Sequence, residues 1–138
     1  MIAPWCSDYL DIPWKELGRN RDGADCWGLY RLVMQEQFGI ELPAYDAAGY
    51  QEGGDLAEVS ALIDSRLVDW REVSQGSERV GDAILIRVMG EPIHIGMVVG
   101  PGRMLHIKPG VGASVDRYTS LNFRNRIIGF FRHRSIHD

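Results

Sequence analysis

Apolar residues recur with two different periods along this chain, and the change of period falls near its middle. From Cys26 to Phe38, Leu29, Leu32, Val33 and Met34 recur at helical spacing. Asp25 suits the N-cap and Gly39 stops the run, which predicts a helix over about 25–38. Asp55 begins a second such run, about 55–66, with Leu56, Val59, Leu62 and Ile63 on one face. A shorter helix is expected over Pro4 to Leu10, ended at Ile12-Pro13 because a residue before proline avoids the α region. The polar stretches 17–23 and 42–54, the latter with Tyr45 and Tyr50, read as loops. Beyond about residue 68 the pattern alternates. Strands are expected at 69–73, 82–89, 92–99, 103–108, 112–116 and 126–133. Gly81-Asp82, Gly90-Glu91 and Gly100-Pro101-Gly102 punctuate them. Helices first and strands second predict an α+β fold, with N-terminal helices packed on an antiparallel sheet of about five to six strands.

Composition narrows the function. At 138 residues the chain fits one domain with a single sizeable core. It has no run of about 18 apolar residues, so no transmembrane helix is expected. The start, MIAPWCSDYLDIPW, lacks the basic and apolar regions of a signal peptide, so synthesis in the cytoplasm without a signal peptide is expected. Two cysteines build neither a disulfide framework nor a four-cysteine zinc site. Charge is uneven: residues 1–86 carry 7 basic and 16 acidic side chains, residues 87–138 carry 8 and 3. The overall net charge of -4 argues against a nucleic-acid partner. The C-terminal arginines read equally as a solvated strand face.

Cys26 is the first candidate for chemistry. It falls one residue past the N-cap, where free N–H groups and the helix dipole favour a thiolate. A cysteine in an apolar helix is also an ordinary small core residue. His94 and His106 add weight to the first reading. They lie in two consecutive strand-like runs, IHIGMVV and MLHIK, joined by a Gly-Pro-Gly turn. With Val99 opposite Arg103, His94 stands opposite Lys108 and His106 opposite Gly96. Both histidines then share one face as diagonal neighbours. Ile93, Ile95, Met97, Val99, Leu105 and Ile107 take the other face, which must be core. A structural pair and a zinc site with Cys26 are the competing readings. Metal ligation lacks the short ligand pair such sites use, so no metal and no other cofactor is expected. The favoured reading is a Cys26–His94–His106 relay, with His94 as proton acceptor and His106 orienting it.

Four segments, DGADCWGLYRLV, VGDAILI, HIGMVVG and MLHIKPG, resemble in order and spacing the NlpC-type cysteine peptidases of bacterial cell-wall remodelling. The resemblance runs from about Tyr9 to Arg134. It implies a papain-like α+β domain and a peptidoglycan stem peptide as substrate, cut at the D-γ-glutamyl–diaminopimelate bond. D-C-W-G-L followed by Phe38-Gly39-Ile40-Glu41-Leu42-Pro43 is most similar to the short versions found with phage and gene-transfer-agent tail genes. That implies a virion tail tip as the location, with action in the periplasm or cell wall, other tail-tip proteins as partners, and opening of the wall for DNA entry as the task.

Two positions depart from the family pattern. Trp14 stands where many members have a tyrosine near the oxyanion, and Trp27 where many have a serine lining the groove. Trp14 would offer an indole N–H in its place, while Trp27 is either groove wall or helix packing. Arg19 and Arg21, just before Asp25 and Cys26, are candidates to hold stem-peptide carboxylates. Two other functions stay open: a structural tail-tip module with the same fold, and a thiol-dependent amidase or acyltransferase on another substrate.

Overall fold

The structure is a computed structural model that describes residues 2–16, 18–42, 70–87 and 93–136. The expected helix over 55–66, and the loop bearing Tyr45 and Tyr50, lie outside these residues. The chain opens with a 3-10 helix, Pro4–Tyr9, where an α-helical turn was a fair expectation. A small hairpin follows, β1 (Arg19–Asn20) and β2 (Gly23–Ala24). The sequence read this stretch as loop, since two-residue strands are too short to show a period. The helix α1 runs Cys26–Phe38. Among the described residues six more strands follow: β3 (Trp70–Val73), β4 (Ala83–Arg87), β5 (Ile93–Gly100), β6 (Arg103–Lys108), β7 (Gly112–Arg117) and β8 (Ile127–His133).

Both ends of α1 form for the reasons its sequence suggests. The Asp25 carboxylate accepts from the Gly28 N–H at 2.8 Å, which satisfies one of the first turn's orphan donors. At the other end Gly39 sits at φ 68°, a left-handed conformation that glycine adopts without strain. Its N–H and that of Ile40 return to the Gln35 and Met34 carbonyls.

The six strands form one sheet in the order β3-β8-β4-β5-β6-β7, and every pairing in it is antiparallel. The last strand therefore inserts between β3 and β4. In the β5–β6 hairpin Met97 faces Leu105 and Val98 faces Met104, as the sequence register requires. Its tip differs: Gly100, not Val99, faces Arg103, with a bulge between Val98 and Gly100. Pro101 and Gly102, the latter at φ 69°, fit the two corners of a tight turn, so Gly100 joins the strand.

α1 packs on β5 and β6. Ile95, Met97, Val99, Leu105 and Ile107 meet Trp27, Leu29, Tyr30 and Val33 of the helix in the main core. The opposite face, which bears His94 and His106, carries a second apolar cluster as well. Ile84, Ile86, Val98 and Met104 pack there with Tyr118 and Phe130, and Phe123 and Ile127 lean against them. The segment between β7 and β8 supplies Tyr118 and Phe123, so the central strands are buried on both sides. Burial on two faces explains why Ala83–Ile86 reads as a continuous apolar run. Among the described residues no helix is long and apolar enough to cross a membrane.

Candidate active site

Cys26 is the first residue of α1 and is buried. Its surroundings follow from the Asp-Cys-x-Gly pattern. The Asp25 carboxylate binds the Gly28 N–H and also takes the Arg19 guanidinium at 2.6 Å. Gly28 lies so close to the backbone just before β1 that a Cβ there would overlap the Gly18 carbonyl oxygen. That same carbonyl accepts from the Asp25 N–H. The glycine two residues after the cysteine is therefore a packing requirement: it lets the preceding hairpin press against the first turn of the helix. Neither cysteine is in a disulfide, and burial pushes the Cys6 thiol up to about 11. Cys6 is thereby an inert core sulfur.

His94 and His106 lie on β5 and β6, the two strands that α1 packs against. His94 Nε2 and His106 Nδ1 are 2.9 Å apart, with ring centroids at 5.1 Å and planes at 72°. Both rings are buried. Burial pushes His94 down to about 3, reinforced by electrostatic interaction with His106 and Lys108. Burial also lowers His106, but the Asp116 carboxylate opposes the shift. Both imidazoles are neutral at physiological pH, the form in which a histidine accepts a proton. Among the described residues no group of three or more His, Cys, Asp or Glu is arranged to hold a metal ion.

Asp116 escaped the sequence reading. Its Oδ2 lies 2.6 Å from His106 Nε2 and 3.4 Å from the Ser114 hydroxyl. The signal was available in the spacing: Ser114 faces His106 across β6–β7, so Asp116 is its diagonal neighbour on the same face. Phe123 closes the other side of His106, edge to face at 5.8 Å.

The remaining candidates fall into different places. Trp27 is buried in the main core and stacks on Tyr30 at 6.0 Å. Arg19 folds inward onto Asp25, and Arg21 pairs with Glu36 at 2.6 Å while lying over the Tyr9 ring. Both guanidiniums thus brace the segment before Cys26. Trp14 is half-buried, and its backbone bridges to Ala24, two residues before Cys26. It borders a cavity of about 410 Å³ with Leu10, Ile12, Pro13 and Val111.

A nucleophile candidate at a helix start, packed on an antiparallel sheet whose strands bear a hydrogen-bonded histidine pair, defines a papain-like α+β architecture. Residues 13–132 match the NlpC/P60 family, and the chain belongs to it. It is 24% identical over 120 residues to the murein DD-endopeptidase MepS/murein LD-carboxypeptidase of Escherichia coli strain K12, covering 87% of this chain but 55% of that protein. Among solved structures it is similar to an NLP/P60 family protein, described as similar to lipoprotein, from Staphylococcus aureus subsp. aureus Mu50. The TM-score is 0.64 at 21% identity, over 96% of this chain and 39% of that one. The NlpC/p60 domain of the peptidoglycan hydrolase SagA gives a TM-score of 0.59 at 19% identity, over 92% and 91% of the two chains.

Proposed function

We propose that this chain is a cysteine endopeptidase of peptidoglycan stem peptides, acting on the D-γ-glutamyl–diaminopimelate bond. The observation that carries the reading is the 2.9 Å contact between His94 and His106 on the strands against which the Cys26 helix packs. His106 takes Nε2 of His94, so Nδ1 is the nitrogen left to serve the thiol. In the first step Cys26 Sγ–H gives its proton to His94 Nδ1, and the thiolate attacks the scissile carbonyl carbon. The carbonyl oxygen gains the negative charge, and N–H groups of the first turn of α1 point toward an anion at that position. Collapse breaks the C–N bond, and His94 returns the proton to the leaving amine. Water then adds to the thioester with His94 again as base, releasing the acid and restoring the thiol. His106 stabilises the imidazolium formed in each half-reaction. In this reading the Trp14 indole N–H, at the edge of the 410 Å³ cavity, is a further donor to the carbonyl oxygen.

Membership of the NlpC/P60 family and likeness to a murein endopeptidase support this substrate class. The tail-tip setting, with tail proteins as partners, is a further part of the proposal; it rests on the D-C-W-G-L and Phe38–Pro43 segments. The test is digestion of purified peptidoglycan by the isolated chain, with fragments read by mass spectrometry. New amino termini on diaminopimelate are the expected result. Intact stems would favour the structural module, and cleavage elsewhere the amidase reading.

A further inference from the structure

Two hydrogen-bonded imidazoles have a built-in ambiguity. In one arrangement His94 Nε2–H donates to His106 Nδ1, which leaves a lone pair on His94 Nδ1. In the other His106 Nδ1–H donates to His94 Nε2, which puts the remaining His94 proton on Nδ1. The 2.9 Å separation accommodates both. Only the first leaves His94 able to accept a proton at Nδ1.

The structure assigns the choice between them to Asp116, a positioning residue that acts through His106. A carboxylate only accepts hydrogen bonds. At 2.6 Å from His106 Nε2 it requires a proton on that nitrogen, since a lone pair there would face a negative oxygen. Neutral His106 then has its acceptor at Nδ1, His94 must donate from Nε2, and His94 Nδ1 is left bare. The order of donation is His94 to His106 to Asp116. The His106 side chain is fully buried, whereas the Asp116 side chain is 42% exposed. The chain of rings therefore ends in a carboxylate whose second oxygen and hydration can follow a charge appearing on His94. Ser114, directly opposite His106, donates weakly to the same carboxylate oxygen and steadies it. No proton reaches Asp116 in this arrangement; it sets which nitrogen of each ring is occupied.

This assignment rests on the hydrolase reading for its effect on rate, but not for the tautomers themselves. The isosteric Asp116→Asn and the truncating Asp116→Ala separate the two. An amide can donate or accept, so Asn removes the constraint while keeping the shape. In wild-type protein labelled with ¹⁵N-histidine, both His94 and His106 should show a protonated Nε2 and a bare Nδ1. In both variants the His106 signals should move toward a mixture with protonated Nδ1. On a defined stem peptide, kcat should fall roughly 10- to 100-fold, the usual cost of losing a group that orients a functional imidazole, with KM unchanged. Unaltered Nε2–H tautomers at both rings in Asp116→Ala would overturn the assignment whatever the rates do. Failure of the wild-type chain to cleave the peptide would instead overturn the hydrolase reading, and the spectra would still decide the role of Asp116.

Discussion

The sheet holds two buried polar clusters that are built on opposite plans. Asp82 and Arg132 form a closed one at the start of β4. The Asp82 oxygens take Arg132 Nε at 2.7 Å, Arg132 Nη2 at 2.8 Å and the Arg79 N–H at 2.8 Å. Arg132 also donates to the Ser77 carbonyl. Both side chains are almost wholly buried. This cluster ties β4, β8 and the turn before them, and a change of protonation there would leave a charge without its partner. His94, His106 and Asp116 form an open one. Its rings are neutral and buried, one end reaches solvent through Asp116, and the other leaves His94 Nδ1 outside the chain of bonds. A closed charged network fixes a fold, and an open neutral one is free to take up a proton and give it back. Gly81-Asp82, which punctuates the strands in the sequence, thus also supplies the carboxylate of the closed cluster.

Breaking each cluster should separate activity from stability. His94→Ala should lower kcat by roughly 100- to 10,000-fold, the range for a positioned general base, while thermal unfolding of the protein stays cooperative. Asp82→Ala should do the reverse. It strands the buried Arg132 charge and should cost about 3–5 kcal/mol in urea unfolding, with the rate per folded molecule unchanged. A third experiment compares the clusters by pH. His94 is held at about 3 in the fold against 6.5 in the open chain. As pH falls through 6.5 the unfolded chain binds protons that the native chain refuses, so stability should decline steadily from 6.5 toward 3. His94→Gln should flatten that decline, and urea midpoints measured at pH 7, 5 and 4 would show it. The smallest effect is expected at the other thiol: Cys6→Ala should cost about 1 kcal/mol and leave turnover alone.

The sequence made the open cluster partly legible. Alternation in IHIGMVV and MLHIK fixed the hairpin register closely enough to bring His94 and His106 together, and Asp25 and Gly39 marked both ends of α1. Asp116 was missed because the search for partners stopped at the hairpin that carries the histidines. One more antiparallel step reaches it. The insertion of β8 between β3 and β4 left no trace, since alternation says which face a residue takes but not which strand lies beside it. Arg19 and Arg21 illustrate the same limit on the charged side. A loop arginine before a nucleophile suits a substrate carboxylate, yet carboxylates at Asp25 and Glu36 of the chain itself lie within reach and take both. Trp27 was left between two roles by the pattern; the structure buries it against Tyr30.

The central claim is that Cys26 is the nucleophile of a stem-peptide endopeptidase. It is tested most directly by the cleavage rate of L-Ala-D-γ-Glu-diaminopimelate-D-Ala in wild type and Cys26→Ala, side by side, with folding checked by circular dichroism. The account predicts L-Ala-D-Glu as the acyl product from the wild type. It predicts no turnover above background from a folded Cys26→Ala, because the whole covalent pathway is lost with the sulfur. The same products at near wild-type rate from Cys26→Ala would contradict it.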